Sequence, residues 1–487
     1  MKNFLNKVFK LDQAQTTVTT ELIAGITTFF AMCYIIIVNP NQMIGFSFGV
    51  PGISAIWNAC FVGGILAAVI ATVCMAFIAN KPFALAAGMG LNSFFFVSFI
   101  LPTFASGVAA KDGYAAGLAI ILISGLIFLI LSVTGVRKYI ATSLPKTLKV
   151  AIPAGIGAFI AFIGFQNSGI VVDNPYTLVQ FADFTQWASA APAIVAFAGL
   201  IVTVLCARAG EGGTKEDKSE PNKFQKILRG GAVIIGILFA TGLYYIFSIF
   251  TDSLKITVTE NSIGTMFKDW AELGFSAFRG FKFAFDGTTI GTIFSVIMLI
   301  ITFCLVDMFD TVGTLYGASA SVGLVDENGD PLNIQQEMLC DAIGTVAGAC
   351  LGTSTITTFV ESSAGIGAGG RTGLTALTTA FLFLVCIFLG PFVQYIPTCA
   401  TASALIYVGI LMFKGVRNID WDDLRASATA FMTIIMMLCT YSITNGIMIG
   451  SMIYVLFTIF TRRFEKKDIV VTIIAVLGLL RFIFVKM

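Results

Sequence analysis

The sequence predicts an all-α polytopic membrane protein. Three observations carry that expectation: a scarcity of charge, apolar runs that recur at the length of a bilayer crossing, and basic residues gathered on alternate connections. Only 11% of the 487 residues are charged and 57% are apolar, with a mean hydropathy of +0.91. A soluble domain uses about 25% charged residues to solvate its surface, so much of this surface must face lipid. The net charge of +2 gives no support for binding nucleic acid. Ten cysteines, among them Cys74, Cys206, Cys304 and Cys386, sit mostly inside apolar runs without metal or redox spacing, and read as membrane-buried thiols. No cofactor and no metal is expected. There is no histidine, so any proton chemistry falls to carboxyl groups.

Met1–Gln15 carries lysines and is amphipathic, without the cleavage site of a signal peptide. Residues 1–21 are expected to form a cytoplasmic N-terminus. Apolar runs near the ~20 residues of one crossing then fall at 22–38, 54–79, 83–100, 114–134, 150–165, 190–207 and 230–250. A second series follows at 288–306, 338–351, 355–370, 373–391, 399–413, 427–441 and 446–461. That makes fourteen spans. A further run at 469–485 is expected either to lie at the interface or to add a span, within a C-terminal segment 469–487. With this layout one side collects the basic N-terminus, Arg137, Lys138, Lys146, Lys149 and the Arg208–Arg229 stretch, then Arg371, Lys414, Arg417, Arg425 and Arg462–Lys467. Positive loops are cytoplasmic, so both ends of the fourteen-span unit are expected to be cytoplasmic, with the protein in the plasma membrane. The other side holds a long loop over 251–287. Asp326–Glu337 is an acidic loop, and the one linker-like stretch is Glu211–Asn222.

Fourteen divides into two sevens, and seven is odd. A second seven-span copy therefore enters from the opposite face, the 7+7 inverted repeat found in many secondary transporters. Two spans echo each other. The third opens Lys81-Pro-Phe-Ala-Leu and runs into Ala86-Ala-Gly-Met-Gly-Leu-Asn92; the tenth opens Thr353-Ser-Thr-Ile-Thr-Thr-Phe and runs into Glu361-Ser-Ser-Ala-Gly-Ile-Gly-Ala-Gly-Gly370. Each begins with a short stretch that favours extended backbone and then turns rich in Gly and Ala. Interrupted spans at matching positions point to a transport site, because their unpaired backbone is tolerable only where it finds partners or lines a cavity.

Three acids at membrane depth are the leading site residues. Asp307 and Asp310 lie in Leu305-Val-Asp-Met-Phe-Asp-Thr-Val-Gly-Thr314, and Glu361 opens the second broken span. A spacing of three places Asp307 and Asp310 on one helical face, and Gly313 with Gly317 admits a close neighbouring helix. An ionisable group at this depth is costly and marks a functional site, although an aspartate could also simply bond Thr311, Thr314 or backbone. Glu361 is further expected to stand among unpaired backbone N–H groups of a half-helix start. Ser362 beside it joins the expected substrate-binding set, as does Asn92, for which an interhelical hydrogen bond is the alternative. Asn39 and Asn41 are expected to cap a helix end at Pro40, and Arg371 to pair with a helix terminus.

Four strings in order, Ala24-Gly-Ile-Thr-Thr-Phe-Phe-Ala-Met, Ala87-Gly-Met-Gly-Leu-Asn92, Asp307-Met-Phe-Asp-Thr-Val-Gly-Thr and Glu361-Ser-Ser-Ala-Gly through Gly-Gly-Arg-Thr-Gly-Leu-Thr375, resemble the azaguanine-type purine permeases. These form the hypoxanthine/guanine/adenine branch of the nucleobase–ascorbate transporter superfamily. The similarity runs from about Phe9 to Phe460. It implies a core domain of spans 1–4 (22–134) and 8–11 (288–391), and a gate domain of spans 5–7 (150–250) and 12–14 (399–461). It also implies that Asp307 and Glu361 bind substrate, that Asp310 and Asn92 support them, and that two copies dimerise through the gate. The wider superfamily carries Glu on the eighth span, where this chain has the shorter Asp307.

These lines join in one expectation: a transporter rather than an enzyme, importing purine nucleobases with a proton, rather than sodium, as the coupled ion. Ionised Glu361 would accept the N1–H of a 6-oxopurine while nearby backbone N–H groups donate to its carbonyl. Asp307 would accept from the imidazole-ring N–H or carry the proton, a role also open to Asp310 and Glu361. Rival expectations are a pyrimidine or xanthine transporter or an anion transporter of the same fold, a channel, and an intramembrane aspartyl protease. The last needs acids on separate helices, and here the nearby glycine motif ends in Asn92.

Overall fold

A computed structural model describes residues 2–47, 49–209, 230–251, 262–285, 293–321, 333–393, 395–461 and 468–484, with a few isolated positions between them. The first half runs through α1 (Lys2–Phe9), α2 (Val18–Met32), α3 (Ile35–Met43), α4 (Ile53–Cys74), β1 (Leu85–Ala87), α5 (Met89–Phe95), α6 (Leu101–Ser106), α7 (Ala110–Val133), α8 (Val136–Ser143) and α9 (Lys146–Asn167). A hairpin of β2 (Val171–Asn174) and β3 (Leu178–Phe181) follows, then α10 (Trp187–Ala209), α11 (Ala232–Phe250), α12 (Ile263–Leu273) and α13 (Ser276–Ala284). The second half contains α14 (Ile293–Ser321), α15 (Ile334–Leu351), β4 (Ile356–Thr358), α16 (Ser362–Gly367), α17 (Gly373–Val385), α18 (Gly390–Val393), α19 (Thr398–Phe413), α20 (Leu424–Cys439), α21 (Ile443–Phe460) and α22 (Asp468–Phe484).

Among the described residues ten helical stretches are long and apolar enough to cross a membrane. Met89–Phe104 and Leu424–Cys439 are apolar but shorter. Helix α15 has the length, at 18 residues, but Gln335, Gln336, Glu337 and Asp341 make its first half polar. Large side chains such as Ile201, Leu205, Phe381 and Phe460 are exposed on the outside, which suits a surface solvated by lipid chains rather than water. The chain is thus a multi-pass membrane protein.

The helices sort into two groups by what they pack against. Helices α9, α10, α11, α19, α20 and α21 pack largely on one another, while α2, α3, α4, α7, α15, α16 and α17 form the second group together with α14. Where the groups meet, α14 crosses α9: a Cβ on Gly313 would stand 2.2 Å from the Pro153 ring, so only glycine permits this approach. The two extended stretches of the broken spans pair with each other. β1 and β4 run antiparallel with Leu85 opposite Thr358, Ala86 opposite Thr357 and Ala87 opposite Ile356. Inside a membrane such short strands have no water to satisfy them, and pairing is what makes them tolerable.

Several local expectations are corrected. Pro40 does not end a helix: α3 carries it internally, and the break falls earlier, between α2 and α3 at Cys33–Tyr34. Asn39 and Asn41 are therefore not caps. Both are buried and bond across helices, Asn39 to Thr353 at 3.1 Å and Asn41 to the Trp57 indole at 2.7 Å. The long loop at 251–287 holds the amphipathic helices α12 and α13, which pack on α4 and α7. Glu337 belongs to the first turn of α15 and is buried. Arg137, placed above among the basic residues of the cytoplasmic side, is fully buried. The linker-like stretch Glu211–Asn222 lies outside the described residues. Helix α22 lies along α21 with one partner near each of its ends: Tyr454 donates to Asp468 at 3.0 Å, and Arg481 donates to Asn445 at 3.0 Å.

Candidate functional site

The crossing of the two broken spans builds a small cavity. Its wall includes Gly88, Met89 and Gly90 from the β1–α5 turn, Asp310 and Thr314 from α14, and Thr357 through Glu361 from the β4–α16 turn. Ile160, Val408 and Met412 of the other helix group close it with apolar surface. The cavity holds about 310 Å³ of unfilled space, part of it open to the outside.

Local backbone explains how the polar groups arrive there. The amide of Gly88 donates to Thr355 O at 3.0 Å and that of Phe359 to Ala84 O at 3.1 Å, which extends the strand pair to both sides. The Ala84 amide donates to Ser362 Oγ at 3.0 Å. Ser362 thus ties the start of α16 to the approach of β1, and it is not among the residues that line the cavity. Glu361 stands at the N-cap of α16 without capping it. Its side chain reaches instead to α2–α3, where the Tyr34 hydroxyl donates to Oε1 at 2.6 Å. The amides expected to be free beside Glu361 are occupied: Ser362 N–H bonds Phe359 O at 3.2 Å and Ser363 N–H bonds Val360 O at 3.0 Å. The open donors are on the other broken span. Met89 and Gly90 are first-turn residues of α5, whose amides lack intrahelical acceptors and receive no capping side chain.

The two aspartates of α14 part company. A spacing of three leaves a 60° offset on a helix, enough to aim them at different neighbours. Asp310 lines the cavity with its carboxylate near Gly88 and Thr357; a Cβ on Gly88 would lie 3.3 Å from Oδ2. Asp307 is fully buried behind that wall, and Oδ2 accepts from Thr345 of α15 at 3.0 Å while Oδ1 finds no partner among the described residues. Asn92 is also buried away from the cavity. Its amide donates to Asn39 Oδ1 at 3.0 Å and its oxygen accepts from Ser354 Oγ, so both ends of the side chain serve the helix junction.

Sequence reasoning did not single out three participants. Tyr34 holds Glu361. Asp341 of α15 forms a buried ion pair with Arg137 at 2.6 Å and accepts from Thr311 Oγ1 at 2.8 Å; Thr311 in turn meets Thr357 of the cavity wall at 3.1 Å. Asp341 carried a legible signal, an acid inside an apolar run. Glu21 is the third: buried in α2, it accepts from the amides of Arg371, Thr372 and Thr375 and from Thr375 Oγ1 at 2.6–3.2 Å, clasping the start of α17. Arg371 itself donates to Ile366 O and Gly370 O, both at 2.7 Å, at the end of α16.

Two helix groups meeting over a cavity, with paired broken spans and carboxylates at membrane depth, are the architecture of a membrane transporter. Comparison with known proteins narrows the class. The Permease family profile (Xan_ur_permease) matches residues 19–449, and the chain belongs to that family, in the purine permease branch of the nucleobase–ascorbate transporter superfamily. Its relatives include guanine/hypoxanthine permease PbuG of Bacillus subtilis, 36% identical and covering 100% of both chains. Adenine permease AdeP of Escherichia coli is 35% identical over 99% of this chain and 97% of its own. Putative permease MJ0326 of Methanocaldococcus jannaschii is 33% identical over 99% and 98%. Among solved structures, the transmembrane domain of the cyanobacterial bicarbonate transporter BicA shares the fold with a TM-score of 0.52 at 15% identity, covering 86% of this chain and 95% of that one. Murine Slc26a9 in its inward-facing state does so at 0.55 and 12%, covering 91% and 68%.

Proposed function

We propose that this chain imports purine nucleobases, hypoxanthine and guanine ahead of adenine, by proton symport with alternating access in the plasma membrane. The observation that carries the proposal is Glu361: a carboxylate on the cavity wall with one oxygen held by Tyr34, and the first-turn amides of Met89 and Gly90 on the facing span. A 6-oxopurine presents an N1–H donor beside a C6=O acceptor, which this pairing of acceptor and donors matches. Adenine has a bare N1 and would oppose lone pair to lone pair, a mismatch that a site built around a donor rejects strongly. Relatives named guanine/hypoxanthine and adenine permeases support the substrate class.

In this reading Asp310 shares the cavity with Glu361, and Asp307 is a proton carrier behind it. The fourteen-span 7+7 layout adds Met89–Phe104, α15, the β4–α16 segment and α20 to the ten long spans. The core would be 22–134 with 288–391 and the gate 150–250 with 399–461, the core moving against the gate at the α14–α9 crossing. The N-terminus is cytoplasmic and two copies pair through their gates; a mass measurement in native lipid that finds single copies alone would remove the dimer.

Uptake of radiolabelled hypoxanthine, with and without a protonophore, tests the whole. Glu361→Gln keeps the size and removes the charge, and losing a bond to a charged group weakens binding about ten- to a hundredfold. A well-expressed Glu361→Gln protein with unchanged uptake ends the substrate reading. Uptake that needs sodium and ignores the protonophore ends the coupling one.

A further inference from the structure

Tyr34 sits where α2 gives way to α3, and it is buried to about 1% exposure. Its ring is part of the helix junction, but its hydroxyl has one destination, Oε1 of Glu361 at 2.6 Å. The two residues are 327 positions apart and belong to different broken segments of the same helix group. Glu361 makes no cap to its own helix, and the phenol is the side chain that holds its carboxylate, beside a bond from the residue's own backbone N–H. One oxygen is engaged before any ligand arrives. The second oxygen has no side-chain partner among the described residues, and Glu361 lines the cavity.

We propose that Tyr34 is a positioning residue that sets selectivity between purines offering one N–H donor and those offering two. The inference rests on the reading of Glu361 as the acceptor for the base. Hypoxanthine brings a single donor, N1–H, to this edge, and Oε2 suffices for it. Guanine brings N1–H and the 2-amino group side by side, a pattern that suits both carboxylate oxygens at once. Here the 2-amino donor must share Oε1 with the Tyr34 hydroxyl. The oriented second oxygen serves the N1–H of either base, and the phenol favours hypoxanthine by competing with the 2-amino group for the first. A xanthine-like 2-oxo group would meet carboxylate with carbonyl and gain nothing from either arrangement.

Tyr34→Phe removes the hydroxyl and keeps the ring, so the packing of the α2–α3 junction is retained. The measurement is the KM for radiolabelled guanine and for hypoxanthine in cells, with the amount of protein at the membrane measured alongside. Equilibrium binding of both bases to the purified protein repeats the comparison without the transport cycle. The expected result is a shift of the guanine-to-hypoxanthine preference toward guanine by about tenfold, the smaller end of what one bond to a charged group contributes, with hypoxanthine KM raised. An unchanged preference overturns the proposal, and so does an equal rise in both KM values, which is what a structural defect alone would produce. Glu361→Gln in the same assay separates the two levels. If both bases survive it, the acceptor reading fails; if it abolishes both while Tyr34→Phe leaves the preference untouched, the assignment of Tyr34 alone fails.

Discussion

Replacing Asp341 by Asn tests the buried pair that braces the back of the site. The Arg137 guanidinium is fully enclosed, with Nη2 2.6 Å from Asp341 Oδ2. Removing one partner of such a pair costs about 3–5 kcal/mol, because the remaining charge stays buried. Two contacts soften the loss here. Nη1 keeps its bond to Met338 O at 2.7 Å, and the guanidinium lies 4.2 Å from the centre of the Phe128 ring. The cost should therefore sit near the lower end, about 3 kcal/mol, or a factor of ~150 in the folded-to-unfolded ratio at 1.36 kcal/mol per tenfold. Unfolding of the purified protein in detergent, read by loss of helical signal against denaturant, gives the number directly. The double variant Arg137→Met with Asp341→Leu should recover most of it, since apolar side chains of similar volume replace buried pairs with little loss. A double-mutant cycle then isolates the interaction. Asp341→Asn within about 0.5 kcal/mol of the parent, or a cycle in which the two changes simply add, would refute the reasoning.

Three further substitutions probe the same helices. Gly313→Ala places a Cβ against Pro153, where 2.2 Å is available. Maximal uptake rate should fall severalfold while hypoxanthine affinity holds, since the contact lies between helix groups and outside the cavity; an unchanged rate would remove the α14–α9 crossing from the moving surface. Asp310→Asn should raise the KM for hypoxanthine by about tenfold, because Asp310 lines the cavity, whereas Asp307→Asn should lower the rate at unchanged KM. The reverse pattern would show that Asp307, not Asp310, meets the substrate.

The broken spans were legible because their chemistry is local. A β-favouring stretch that turns abruptly into Gly and Ala cannot continue a helix, and it stands out at membrane depth. The acids were legible for a related reason: Asp307, Asp310 and Glu361 are expensive where they lie. Partners were not legible, since a pairing such as Tyr34 with Glu361 spans 327 positions and leaves no trace in spacing. Arg137 was misread because Gly135 and Lys138 beside it look like a loop, and only the fold brings Asp341 to it. Pro40 suggested a helix end, but α3 carries it internally, and other elements supply the buried partners of Asn39 and Asn41. The amphipathic helices α12 and α13 escaped because a window of span length averages their polar and apolar faces to nothing.

The antiparallel pair of Leu85–Ala87 with Ile356–Thr358 also sets a schedule. Chains emerge from the ribosome at about 5–20 residues per second, so some tens of seconds separate the delivery of the first strand from that of the second. Throughout that interval the Ala84 carbonyl and the Gly88 amide, which bond Phe359 and Thr355 in the finished fold, have no partner strand, and lipid offers them nothing. The nascent first half must therefore wait with this segment in water, at the interface or against a helper protein. Its broken span can settle into the bilayer only once the tenth has arrived.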